Sequence, residues 1–83
     1  MELKDTVKMM KSDDYKERFR AEALQLVLRI QGLQNMLNKY KDGTLNFEPK
    51  CSFEILNSQL FFMRRYLGIL EYRAEIEGID LRF

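Results

Sequence analysis

Leucine, isoleucine, phenylalanine and methionine recur at steps of three and four residues in two long runs, on either side of a stretch that holds the chain's only proline. An α-helix turns once in about 3.6 residues, so such steps line apolar side chains along one helical face. The first run is Phe19, Ala23, Leu26, Ile30, Leu33, Leu37 and Tyr40; the second is Phe53, Leu56, Leu60, Met63, Leu67, Leu70 and Ala74. Two amphipathic helices joined by a short connection have one economical solution, each burying its stripe against the other. The fold class is therefore all-α: an antiparallel helical hairpin of two long helices, preceded by a short amphipathic segment.

Start and stop signals set the boundaries within one domain, 1–83. In residues 1–11, Leu3, Val7 and Met10 are spaced for a short N-terminal helix. Isolated helices below about 12 residues are marginal in water, so this one either frays or docks its Leu3/Val7/Met10 face on another surface, as a plain docked helix or as a lid or subunit-swapping arm. Ser12, followed by Asp13 and Asp14, supplies a capping hydroxyl and carboxylates for the positive end of a helix dipole. Helix one is expected over 12–42, ending in the basic turn Lys39/Lys41 with Gly43 as C-cap, with a regular part of about 28 residues, or about 42 Å. Gly32 inside it costs about 1 kcal/mol relative to alanine and marks a place of close approach by a partner or ligand. The connection, 43–51, should tuck Leu45 and Phe47 over the hairpin's end. Ser52 caps helix two, 52–77, with Glu54 in its first turn and Gly78 as its stop. In the tail, 78–83, apolar residues alternate at Ile79, Leu81 and Phe83, a pattern suited to packing on a neighbouring chain.

A chain of 83 residues buries a smaller fraction of its surface than a larger domain, and folds of this size commonly need a staple. Cys51 is the sole cysteine and histidine is absent, which excludes an internal disulfide and an ordinary zinc site. No metal or cofactor is expected. Helix two also carries a second stripe, Ile55, Gln59, Phe62, Tyr66, Ile69, Arg73 and Ile76, while helix one adds Leu24, Val27, Leu28 and Met36. One partner helix cannot cover both stripes, and large apolar side chains left wet mark an association surface. The hairpin is therefore expected to form a homo-oligomer.

Fourteen basic and thirteen acidic residues leave a formal charge of +1, too little to drive bulk binding to nucleic acid or an anionic membrane. The N-terminal residues MELKDTVKMMKSDD contain no continuous apolar stretch, so neither a secretory signal nor a membrane span is expected, and the cytosol is the expected location. Enzymatic chemistry at neutral pH usually needs an activated nucleophile or an acid–base pair. Cys51 lies beside Lys50 and a helix start, both of which can activate a thiol, but no base accompanies it; the chain does not read as an enzyme.

What stands out instead is arginine beside tyrosine: Tyr15 with Arg18 and Arg20, Arg64-Arg65-Tyr66, and Tyr72-Arg73. Tyrosine stacks on a base while a guanidinium grips a phosphate in bidentate fashion, a combination suited to a nucleotide. Tyr15, Arg18, Arg64, Arg65 and Tyr66 are the candidate ligand-binding residues, with Gln25, Arg29, Asn57 and Gln59 as possible base-edge partners. The plainer reading is i,i+4 pairing with acids on a solvated face, which Arg18/Glu22 and Arg73/Glu77 fit. A different function class, a non-catalytic protein-interaction hairpin, would use Phe62, Tyr66 and Ile69 to grip a host or phage protein.

Tyr15 with Glu17 and Arg18, then Leu33, Leu37 and Tyr40, Cys51-Ser52, Gln59-Leu60, Met63, Tyr66-Leu67 and Leu70-Glu71 resemble the two helices of a family of small phage and prophage proteins of gut bacteria. The order of long helix, proline-containing connection, serine-started helix and short end is also similar to the hairpin of anti-CBASS and anti-Thoeris signal sponges. That resemblance implies stoichiometric capture of a cyclic nucleotide messenger between subunits of a homo-oligomer.

Overall fold

A computed structural model describes residues 1–81 of the chain. A turn of 3₁₀ helix, Leu3–Thr6, runs directly into one turn of α-helix, α1 (Val7–Met10), and the two long helices follow as α2 (Tyr15–Asp42) and α3 (Phe53–Glu77). The long helices pack as a hairpin. Their antiparallel sense is fixed at both ends, by a hydrogen bond from Tyr15 to Glu77 and by the Tyr40 and Phe53 rings, 5.5 Å apart.

The two apolar runs form the seam. Phe19, Ala23, Leu26 and Leu37 of α2 and Leu60, Leu70 and Ala74 of α3 are buried, and Ile30, Leu33, Phe53, Leu56, Met63 and Leu67 are half-buried. Each large side chain fully buried there contributes about 1.5–3 kcal/mol. Alanine at 23 and 74 lets the helices approach closely at the open end of the hairpin, where the core cluster also takes in Ile79.

Helix ends differ from expectation by small, explicable amounts. Asp14, rather than Ser12, is the N-cap of α2, its carboxylate accepting from the Lys16 amide at 2.9 Å. Ser12 works one step earlier, its hydroxyl accepting from the Asp14 amide at 3.0 Å, so the helix starts at 15 rather than 12. The expected Ser52 cap forms, its hydroxyl accepting from the Ile55 amide at 3.2 Å. Gly43 and Gly78 close their helices in the left-handed region, φ 73° and 70°, which glycine enters at no steric cost.

Gly78 also redirects the tail. The amide of Ile79 donates to the Ala74 carbonyl at 2.8 Å, and this C-terminal motif swings Ile79 back onto the seam, where it is buried among Phe19, Leu70 and Ala74. Leu81 packs against the same cluster. The tail therefore covers its own chain through residue 81 instead of waiting for a neighbour; Phe83 lies outside the described residues.

The N-terminal segment docks, but not by the expected face. Leu3, Val7 and Met10 stay exposed, and the fully buried residue is Thr6. Its hydroxyl donates to the Leu3 carbonyl at 2.6 Å and accepts from the Gln25 amide at 2.8 Å, which pins the segment onto α2. The start of the segment is 3₁₀ rather than α, so the three apolar positions do not line up as a continuous helix would place them. In the connection Leu45 is half-buried while Phe47 remains exposed, so the loop is tucked at one of the two expected residues only.

Candidate functional site

The antiparallel pairing splits the five candidate residues between two places. Tyr15 and Arg18 lie in the first turn of α2, at the open end of the hairpin, and Arg64, Arg65 and Tyr66 lie halfway along α3. Within one chain the fold does not bring them together.

At the open end, three side chains from both helices form a closed polar network over an aromatic base. The Tyr15 hydroxyl donates to Glu77 Oε1 at 2.8 Å and accepts from Arg73 Nη2 at 2.9 Å, while Arg73 Nε donates to Glu77 Oε2 at 3.2 Å. The Arg73 guanidinium lies 5.0 Å above the Phe19 ring centroid. Donation to Glu77 pushes the Tyr15 phenol above its ordinary pKa, and the same bond, followed by the nearby Arg73, holds the Glu77 carboxyl below the usual range. The Tyr15 hydroxyl is thus committed to the fold, leaving its half-exposed ring as the surface it can offer a base. Arg18 does not pair with Glu22 as the i,i+4 spacing suggested; its guanidinium donates to the Ser12 carbonyl at 2.8 Å and ties the helix start to the preceding strap.

Midway along α3 the electrostatics are different. Arg64 donates to the Gln34 side-chain carbonyl of α2, and Arg65 lies 5.7 Å from the Phe61 ring centroid. Their partners are a neutral amide and an aromatic face, and among the described residues no carboxylate lies within salt-bridge distance of either. Arg64, Arg65 and Tyr66 are all exposed. This stretch of α3 thus carries two exposed guanidinium groups without a carboxylate partner among the described residues, with a phenol ring at the next position.

Three contributors to the open end, Arg73, Glu77 and Arg20, were not among the five candidate residues. Arg73 and Glu77 were legible as an i,i+4 pair, and Arg73 as the neighbour of Tyr72, but nothing in their spacing reveals Tyr15 as a third member. Arg20, which donates from Nε to the Asp80 carbonyl at 2.8 Å, lines a groove of about 500 Å³ with Met9, Glu17 and Asp80, and this contact across 60 positions has no periodic signature. Cys51 is exposed and unpaired. No helix among the described residues is long and apolar enough to cross a membrane, and no acidic or cysteine cluster among them could hold a metal ion.

Residues 13–76, which run from the cap of α2 to the last turn of α3, match the profile of the Sequestin family. The chain belongs to the Sequestin family. No curated protein and no solved structure matches the chain at a significant level. The Sequestin match spans the whole seam and all five candidate residues, and omits the N-terminal segment and the tail. The family name denotes sequestration rather than catalysis.

Proposed function

We propose that this Sequestin captures a cyclic nucleotide messenger stoichiometrically, between subunits of a homo-oligomer, and that it is a phage-encoded protein that thereby blunts a host defence signal. Membership in a family named for sequestration carries the reading. The uncompensated Arg64 and Arg65 beside Tyr66 support it, because they offer phosphate recognition and a stacking face without any catalytic apparatus. In this mechanism Arg65 and Arg64 grip phosphate oxygens, Tyr66 stacks on a base, and Tyr15 and Arg18 contribute from the open end of a neighbouring chain. Ligand is held and released unchanged in the cytosol.

A thermal melt against cyclic di- and trinucleotides and cyclic ADP-ribose isomers tests this. A ligand at a thousandfold excess over its dissociation constant stabilises the folded state by about 4 kcal/mol, an upward shift of several degrees. Arg65→Ala and Tyr66→Ala are expected to abolish the shift without unfolding the protein, since both side chains are exposed. No shift with any ligand would leave the alternative, a hairpin that grips a host or phage protein through Phe62, Tyr66 and Ile69, all three of which are exposed.

A further inference from the structure

The outer stripe of α3 is a regular heptad that none of the described residues covers. Ile55, Phe62, Ile69 and Ile76 recur every seven residues, with Gln59, Tyr66 and Arg73 between them at the alternate core position. The four apolar residues are 61%, 66%, 60% and 69% exposed. The seam residues Leu60, Met63, Leu67, Leu70 and Ala74 occupy the neighbouring face of the same helix, about 100° round its axis. With its seam face on α2, α3 presents this second, intact coiled-coil face to the outside.

We infer that this stripe is the contact with a second copy of the chain, packed α3 against α3 in antiparallel orientation about a twofold axis. The inference shares with the proposed capture the need for subunits to meet, and it takes the Tyr66 ring into the contact, so that in this dimer the ring left to stack on a base is the half-exposed Tyr15. Orientation follows from what sits at the alternate core positions. Parallel pairing would set Arg73 on the partner's Arg73, placing like charges in the core. Antiparallel pairing layers one type of core position against the other: Tyr66 against the partner's Ile69, Phe62 against the partner's Arg73, and Gln59 against the partner's Ile76. The Phe62 layer is the informative one. Arg73 already carries Glu77 as counter-charge, lies 5.0 Å from the Phe19 ring centroid and keeps 45% of its side chain exposed, which leaves room for a second aromatic ring. The same register sets Arg65 beside the partner's Tyr72, a further cation–π contact, instead of beside another arginine.

Size is consistent with this occupant. From Ile55 to Ile76 the stripe runs about 32 Å. The smallest specific interfaces take about 600 Å² from each partner, roughly a tenth of this chain's 6286 Å² surface. A twofold axis uses the stripe twice and leaves no end open, whereas a head-to-tail contact would need a second complementary face.

Sedimentation equilibrium without nucleotide, from low to high micromolar, tests the surface. The wild-type chain is expected at twice its monomer mass, and Ile69→Glu is expected to weaken association about a hundredfold or more while keeping a helical circular-dichroism spectrum. In a Cys51→Ser background, oxidising an equal mixture of Gln59→Cys and Ile76→Cys proteins is expected to give the mixed disulfide in excess over either homodimer. A monomer throughout the range, or an Ile69→Glu protein with wild-type mass, overturns the surface. Homodisulfides in excess overturn the orientation. Repeating the melt with nucleotide on Ile69→Glu separates the two readings: ligand binding by a monomer sinks capture between subunits, whereas a wild-type dimer that binds no nucleotide sinks the sequestration alone.

Discussion

The two long helices solve the same problem differently. Each has a seam stripe and an additional apolar strip, but α2 is covered twice and α3 once. On α2 the additional strip includes Leu24 and lies beside Ala21, and both are buried where the N-terminal segment docks through Thr6 and Gln25. Small residues make that possible, because a single helical turn can cover Ala21 and a bound hydroxyl but not a row of isoleucines. On α3 the additional stripe is built from Ile55, Phe62, Ile69 and Ile76, and among the described residues no segment lies over it. A hairpin therefore completes one helix from its own sequence and leaves the other open to association.

The sharpest way to break this contrast is to cut the seam and the outer stripe separately. Leu70→Ala, at a position 1% exposed, is expected to cost about 2–5 kcal/mol at any concentration in a urea titration. Ile69→Ala, one residue along, should cost within about 0.5 kcal/mol at dilution and more only where chains associate. Equal, concentration-independent losses would mean that the two faces of α3 are not distinct.

The next effect concerns the cover on α2. Ala21→Leu inserts bulk under the docked segment and is expected to cost about 1–3 kcal/mol, with a gain in proteolysis before residue 15. A stability equal to wild type would show that the segment contributes nothing to the cover. Asp14→Ala should cost about 1 kcal/mol by removing the cap of α2, and Ser12→Ala less, as read by chemical denaturation; the reverse order would restore Ser12 as the helix start.

Gly32 provides a smaller test. A Cβ built at Gly32 meets nothing within 4 Å, so the close approach expected there does not occur within the chain. Gly32→Ala is expected to stabilise α2 by about 0.5–1 kcal/mol. If the same change weakens association or ligand binding, a partner comes close at that point. The smallest effect lies in the open-end network. Glu77 has its pKa lowered in the folded state by the Tyr15 hydroxyl, so its contribution is present above the unfolded carboxylate pKa and is lost as pH falls through the folded value. Tyr15, with its pKa raised, contributes below the unfolded phenol pKa and loses that contribution as pH rises through the folded value. Melting temperature should therefore decline slightly at both extremes, and Glu77→Gln should flatten the acid limb.

The hairpin, its seam and the caps at Ser52, Gly43 and Gly78 were legible from residue order, because helical periodicity and capping act over a few neighbouring positions. So was the unpartnered stripe on α3, which needs only a count of sevens. What the tertiary structure decided is which distant residues meet. Thr6 replaces Leu3, Val7 and Met10 as the docking residue because Gln25 stands opposite it; Ile79 turns inward because Gly78 is left-handed and the Ile79 amide bonds the Ala74 carbonyl; Tyr15 is held by Arg73 and Glu77 while Arg64 and Arg65 are left without a carboxylate partner among the described residues. A periodic pattern determines which face of a helix is buried, since burial depends on side-chain type and spacing alone. Hydrogen-bond partners separated by tens of positions depend on the phase between helices, and that phase is set only when the whole seam packs.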